Sequence, residues 1–105
     1  MTRTVDLVIS GDGAAARGVA VDALRHGRRV LIVLRSGEAR RAQQLRRWLH
    51  RTAGPDSGPL RVMTGAEVVC VDGVDAVEAI VVRQVSTGRL TAVNASAFLS
   101  CDDSS

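Results

Sequence analysis

Hydrophobic and polar positions alternate differently in the two halves of this chain. Residues 5–10 and 29–34 are apolar almost throughout, which is typical of parallel strands covered on both faces. Between them, apolar residues recur with helical spacing and predict a helix that runs from a turn at 11–16 to about His26, with Gly27 at its C′ position. The predicted buried stripe of this helix comprises Ala15, Ala16, Val19, Ala20, Ala23 and Leu24. The chain therefore opens with a strand–helix–strand unit.

A second helix is predicted after the second strand. Ser36 is a candidate N-cap and Glu38 falls in the first turn, where an acid is favoured by the helix dipole. The helix runs to about Arg51, and Trp48 is expected in the core with the other apolar residues of that side, Ala42, Leu45 and Leu49. Residues 52–59 contain two Gly and two Pro and are predicted to form a loop.

The second half of the chain reads as short strands joined by tight turns. Turn sequences at Asp72-Gly73 and 86–88 separate apolar runs. The predicted strands are 60–63, then a three-stranded β-meander of 67–71, 76–85 and 90–93, and a final strand 97–101 that returns to the main sheet. We therefore expect an α/β fold, with a parallel sheet flanked by helices and a three-stranded β-meander, and a single domain over residues 1–105.

Composition narrows the class of protein. One Phe, one Trp and no Tyr indicate an aliphatic core. No stretch resembles a signal peptide or a membrane span, so a cytoplasmic location is expected. Cys70 and Cys101 lie in apolar, strand-like contexts and are expected to be buried structural thiols without a disulfide.

The charge of the chain is unevenly distributed. The formal net charge is +3, and all fourteen basic residues are Arg. Nine of them lie between Arg25 and Arg51, against the single acid Glu38. This cluster indicates either an anionic partner or a solvated helix face.

The turn between the first strand and the first helix carries a nucleotide-binding motif. It reads Gly11-Asp12-Gly13-Ala14-Ala15-Ala16, which is Gly-x-Gly-x-x-Ala in the strand-to-helix position that the motif requires. Gly11 permits the tight turn, Gly13 lets the backbone approach a pyrophosphate, and Ala16 permits close packing of helix on strand. The start of the helix offers free N–H groups to the anion. These residues predict a dinucleotide site.

The end of the second strand bears on the identity of the dinucleotide. An acid at this point would hydrogen-bond a ribose 2′-OH and select NAD or FAD, whereas Arg favours a 2′-phosphate. Here Leu34 is followed by Arg35, with Arg40 and Arg41 shortly after. The pattern favours NADP.

The order of elements resembles the pyridine-nucleotide (NADPH)-binding domain of thioredoxin reductase, in the family of FAD-dependent pyridine nucleotide-disulfide oxidoreductases. The resemblance covers almost the whole chain and rests on the glycine turn 11–16, on the segment 34–42 and on Ser86-Thr87-Gly88-Arg89. It implies a Rossmann-like FAD/NAD(P)-binding domain of an oxidoreductase. In that family, arginines after the second strand hold the 2′-phosphate. By position Arg35 matches the first of them, Ser36 replaces the second, and Arg40 or Arg41 supplies the third.

Several alternatives stay open at this stage. The redox cysteine pair and the flavin domain of that family do not occur in this sequence, so no catalytic residue is predicted, and a flavoprotein or a second copy would be the partner. Residues 6–34 resemble the start of an FAD domain equally well. A non-catalytic protein acting in interaction or regulation is a further alternative, which gains if Asp102 lies beside Gly11. Nucleic-acid binding through Arg40, Arg47 and Arg51 ranks last, because Trp48, the one aromatic residue among them, is expected in the core and not as a base-stacking platform.

Overall fold

Strands and helices alternate in the first half of the chain, and strands follow one another in the second. The computed structural model describes residues 3–73 and 76–101. Its elements are β1 (Arg3–Ser10), α1 (Ala14–Arg25), β2 (Val30–Val33), α2 (Ala39–Ala53), β3 (Leu60–Met63), β4 (Ala66–Asp72), β5 (Ala79–Gln84) and β6 (Leu90–Ser100). None of the helices in the described ranges is long and apolar enough to cross a membrane.

The strands form one mixed sheet in the order β3-β2-β1-β6-β5-β4. β1 pairs in parallel with β2 and β6, and β2 with β3, whereas β4, β5 and the start of β6 pair antiparallel. The expected separate strands 90–93 and 97–101 are wrong, because both belong to β6. The linking residues Asn94-Ala95-Ser96 contain no Gly or Pro, and the buried Val93 and Ala95 continue the alternation. One strand therefore joins the antiparallel strands to the parallel ones.

Both helices pack on the same face of the sheet. Leu24 of α1 and Leu45 and Leu49 of α2 are fully or almost fully buried there against Ile9 and Ile32 of the strands. Every residue of β2 is buried, which matches its uninterrupted apolar sequence. The strand–helix–strand unit thus forms the centre of the domain's first core.

A second core lies on the opposite face of the sheet. Val8, which alternates with Ile9 along β1, contacts residues of the antiparallel strands here, among them Ile80 and Val82. The start of β4 is bonded to the residue after β2, since Ala66 N–H donates to the Leu34 carbonyl (3.0 Å), and Ala66 is buried in this core with Leu31 and Val33 of β2. The antiparallel strands therefore cover the face that the helices leave open.

The end of α1 lies where the sequence predicts it, whereas the start of α2 does not. α1 ends as predicted, with Gly27 at the C′ position and φ +74°. α2 begins at Ala39 after the N-cap Glu38, so the prediction of Ser36 as N-cap is wrong. The Ser36 carbonyl accepts from Gly65 N–H (2.9 Å) and is therefore not available to start a helix, while its Oγ accepts from Glu38 N–H (3.2 Å).

Five side chains lie further from the core than expected, one of which is Ala15 in the first turn of α1, which is exposed. Val19 is 40% exposed and Trp48 is 39% exposed, because each lies at the border of its helix's buried stripe. Cys70 is exposed on β4 and Cys101 is half-buried, so the prediction of two buried thiols is wrong. Cys70 pairs with Val81, and neither residue belongs to the second core, whereas Ile80 and Val82 on either side of Val81 do. Both cysteines are free thiols.

Candidate functional site

The glycine turn lies over the carboxyl ends of three adjacent parallel strands. Gly11 has φ +107°, a conformation that favours glycine, and its N–H donates to the Val33 carbonyl at the end of β2 (3.0 Å). On the other side, Cys101 N–H donates to the Ser10 carbonyl (2.7 Å). The ends of β2, β1 and β6 are thereby fixed together. Ligands of open α/β sheets bind at this edge.

The start of α1 presents unpaired amide groups to this edge. Gly13 is the N-cap, with φ −67° and ψ 177°, and it provides no side-chain cap; the first turn contains no acid. The first intrahelical bond runs from Arg17 N–H to the Gly13 carbonyl (3.0 Å), so the N–H groups of Ala14–Ala16 have no partner within the helix. Ala16 itself is buried in the first core. The turn therefore offers several N–H donors and a positive dipole end to an anion.

A cleft of about 660 Å³ opens beside the turn, between the starts of α1 and α2. Its lining combines backbone of the glycine turn with charged side chains of both helices: Gly11, Asp12, Gly13, Arg17, Glu38, Arg40, Arg41, Gln44 and Cys101. We call this space the glycine cleft. A smaller cleft of about 140 Å³ adjoins it at the end of β2, lined by Gly11, Asp12, Leu34, Arg35, Ser36 and Arg41.

An ion pair spans the two walls of the glycine cleft. Arg41 Nε donates to Asp12 Oδ2 (2.8 Å), and Arg41 Nη2 donates to Asp12 Oδ1 (3.0 Å). This two-bond contact with the carboxylate raises the pKa of the Arg41 guanidinium. The Asp12 side chain is only 16% exposed. The pair joins the turn to α2 and compensates the negative charge that Asp12 brings to the cleft.

The other two predicted arginines differ in their surroundings. Arg35 Nη2 lies 3.4 Å from Glu67 Oε2, and Glu67 is also bonded by Arg83. The hydrogen bond from Arg83 lowers the pKa of the Glu67 carboxyl. Arg40 lines the glycine cleft and forms no ion pair with any residue of 3–73 or 76–101. Thus Arg41 has a carboxylate partner of its own, Arg35 shares one with Arg83, and Arg40 has none among the described residues.

Arg17 also belongs to this cleft, although the sequence motif did not single it out as a site residue. Arg17 Nε donates to the Asp12 carbonyl (3.1 Å), and its guanidinium carbon lies 5.3 Å from the centroid of the Trp48 ring. Arg17 is four residues beyond Gly13, and helical side chains point towards the N-terminus. That spacing is the signal that could have placed it beside the turn.

The predicted site residues lie together at this edge, in three positions. Gly11, Asp12, Gly13, Arg40 and Arg41 line the glycine cleft, whereas Arg35 and Ser36 line the smaller one. Ala14, Ala15 and Ala16 form the first turn of α1. Asp102, whose position relative to Gly11 would separate two of the hypotheses, lies outside the described residues. Among the described residues, no group of three or more His, Cys, Asp or Glu side chains could hold a metal ion.

Comparisons with known proteins inform on the fold. No protein-family model matches the chain, and no curated protein does so either. Among solved structures it is similar to thioredoxin reductase from Streptococcus pyogenes (TM-score 0.69, 20% identity), covering 94% of this chain and 31% of that one. Thioredoxin reductase from Giardia duodenalis is similar over 95% of this chain and 31% of its own (TM-score 0.69, 15% identity). The flavin-dependent monooxygenase PieE, solved with FAD and substrate, matches over 94% and 30% (TM-score 0.66, 15% identity). The chain thus has a FAD/NAD(P)-binding fold and spans about a third of the length of these enzymes.

Proposed function

We propose that this chain is the dinucleotide-binding domain of a thioredoxin-reductase-like oxidoreductase, and that the glycine cleft takes the pyrophosphate of NADP(H). One observation carries the proposal. Gly11 at φ +107° and the uncapped start of α1 lie over the carboxyl ends of three parallel strands, in a cleft that also contains three arginines. A pyrophosphate bound there would accept N–H bonds from the first turn of α1.

The side chains around the smaller cleft favour NADP(H) over NAD(H). With the pyrophosphate at the turn, the adenosine end would lie towards the end of β2, where Leu34 is buried and Arg35 is exposed. No acid stands at the end of β2 to bond a ribose 2′-OH, which disfavours NAD(H). A 2′-phosphate would instead meet the arginines of this edge. Arg40, which lines the adjoining glycine cleft, has no carboxylate partner among the described residues.

FAD is the second candidate ligand. PieE, whose fold matches over nearly the whole chain, was solved with FAD. The glycine turn and α1 would serve the pyrophosphate of FAD as well as that of NADPH, because both contacts use backbone N–H groups. The groups of this chain would bind and orient the dinucleotide, and the redox chemistry would be that of the cofactor. A flavoprotein or a second copy of the chain is the proposed partner.

A calorimetric titration of the full chain with NADPH, NADH and FAD, at low and moderate salt, tests the proposal. We expect saturable binding of NADPH with one ligand per chain, tighter than that of NADH and weakened by salt. Trp48 supplies a second signal, because its ring contacts Arg17 of the cleft wall and no other Trp or Tyr is present. Saturation by FAD alone would assign a flavin domain. No binding of any of the three would contradict the proposal and favour a non-catalytic interaction protein.

A further inference from the structure

We infer that Arg17 and Arg40, rather than Arg35 and Arg41, are the cations that hold the ligand's phosphates in the glycine cleft. The inference rests on the proposed function, because it concerns the same cleft. It adds that Trp48 is a positioning residue: its ring holds the Arg17 guanidinium at the cleft wall.

Arg35 and Arg41 already have anionic partners inside the protein. Arg41 makes two hydrogen bonds to the Asp12 carboxylate, which is largely buried. If Arg41 moved to a phosphate, that carboxylate would be left unpaired next to a second anion, which is unfavourable. Arg35 lies against Glu67 and lines only the smaller cleft. Arg41 therefore favours ligand binding indirectly, because it neutralises the Asp12 carboxylate and does not contact the phosphate itself.

Arg17 is held in place before any ligand arrives. Its Nε is bonded to the Asp12 carbonyl, and its guanidinium lies over the Trp48 ring. A guanidinium has five N–H donors, and within the described residues only the Nε donor of Arg17 is bonded. A planar cation stacked on an aromatic ring keeps its orientation, so the remaining donors are available to a phosphate with little loss of entropy.

Arg40 and Arg17 both lie where their charge interacts unfavourably with a helix dipole, and a bound anion would offset that interaction. Each lies in the first turn of a helix, where a cation opposes the helix dipole, and neither first turn contains an acid. Both side chains line the glycine cleft, and neither forms an ion pair with a described residue. A phosphate in the cleft would be attracted by these two guanidinium groups and by the N-terminus of α1, against the single carboxylate of Glu38, the N-cap of α2.

The test compares variants of equal charge. The full chain and Arg17→Ala, Arg40→Ala and Arg46→Ala are titrated by calorimetry with inorganic pyrophosphate and with NADPH. Each lost charge-assisted contact should weaken binding of both ligands by about 10-fold or more for Arg17→Ala and Arg40→Ala. Arg46 lies on the exposed side of α2, outside the cleft lining, so Arg46→Ala should change affinity by less than about 2-fold. Thermal unfolding of each variant confirms that it is folded.

The role of Trp48 is tested with a conservative pair. Trp48→Leu should weaken pyrophosphate binding, and Trp48→Phe should restore most of it because an aromatic face remains for Arg17. Equal affinity of Trp48→Leu and the unaltered chain would overturn the positioning role.

The outcomes separate the inference from the proposed function. NADPH binding that survives Arg17→Ala and Arg40→Ala unchanged overturns the inference and leaves the function standing. Pyrophosphate binding that is lost in both variants, in a chain that binds no dinucleotide, supports the inference and contradicts the function. A larger loss of ligand affinity for Arg35→Ala than for Arg17→Ala would show that the phosphate is bound at the end of β2, and would overturn the inference.

Discussion

The two halves of the sheet differ in how their strands are covered and in what they carry. β2 is buried along its whole length, between helices on one face and antiparallel strands on the other. β4 is buried only at its start, and its last four residues are exposed, including Val69 and Val71. The glycine cleft lies entirely at the parallel half, where strand ends and helix starts meet. In this fold, backbone donors and charged side chains converge at the carboxyl ends of the parallel strands.

The antiparallel half still contributes to the site, through one residue and through packing. Glu67 of β4 joins Arg83 of β5 to Arg35 at the end of β2. The turn before β4 is bonded to Leu34, which lines the smaller cleft. The parallel half therefore carries the candidate site, and the antiparallel half supports it.

The largest difference between the halves should appear on truncating a leucine. Leu24 is fully buried in the first core, whereas Leu90, at the start of β6, is 60% exposed. Leu24→Ala should lower the free energy of unfolding by about 3 kcal/mol, and Leu90→Ala by less than about 0.5 kcal/mol. Urea unfolding of both variants measures this. Equal losses would show that burial does not distinguish the two regions.

The next effect concerns the loop that enters the parallel half. Gly58 is buried, and a Cβ placed on it would lie 2.2 Å from the Arg28 carbonyl oxygen and 2.7 Å from the Gly27 carbonyl carbon. Gly58→Ala should therefore cost about 2 kcal/mol of unfolding free energy, because backbone atoms must shift. Gly37→Ala, where a Cβ meets nothing within 4 Å, is the control and should not destabilise the chain. A Gly58→Ala variant as stable as its control would contradict the close approach.

A smaller effect on stability depends on pH and comes from Glu67, which joins the antiparallel strands to the end of β2. The folded state lowers the pKa of Glu67 below its usual 4.5, chiefly through the hydrogen bond from Arg83. This contribution to stability is fully present above the unfolded pKa and is lost as pH falls through the folded pKa. The unaltered chain should thus be more stable than Glu67→Gln at about pH 6, and the difference should shrink towards about pH 3. Denaturant unfolding across this range measures it, and a difference independent of pH would contradict the account.

The sequence predicted the two halves with different success, for a physical reason. The strand–helix–strand unit depends on local signals, namely apolar runs, helical spacing and a glycine turn, and its Gly27 end was predicted correctly. The continuity of β6 and the exposure of Cys70 depend on which strands pair, and strand pairing is not local in sequence. The α/β class could be predicted, whereas the single mixed sheet could not.

The candidate site shows the same limit. The turn 11–16 and the arginines after β2 can be found from spacing, because parallel strand ends meet at one edge. Which of these arginines is paired with a carboxylate cannot be found from spacing, because Asp12 lies 29 residues from Arg41 and Glu67 lies 32 residues from Arg35. The contact of Arg17 with Trp48 likewise requires the packing of α1 on α2.

The assignment of the glycine turn as the dinucleotide site is tested most directly by Gly13→Ala, a substitution with a small expected effect on stability. Gly13 has φ −67°, and a Cβ there would meet nothing within 4 Å, so Gly13→Ala should change the free energy of unfolding by no more than about 1 kcal/mol. The same methyl group would enter the space through which a pyrophosphate approaches the turn. Calorimetric titration with NADPH should show an affinity loss of about 10-fold or more for Gly13→Ala. Gly18→Ala, an open position within α1, should bind like the unaltered chain and be about 0.5–1 kcal/mol more stable. Unchanged NADPH affinity in a folded Gly13→Ala chain would contradict the assignment of the glycine turn as the dinucleotide site.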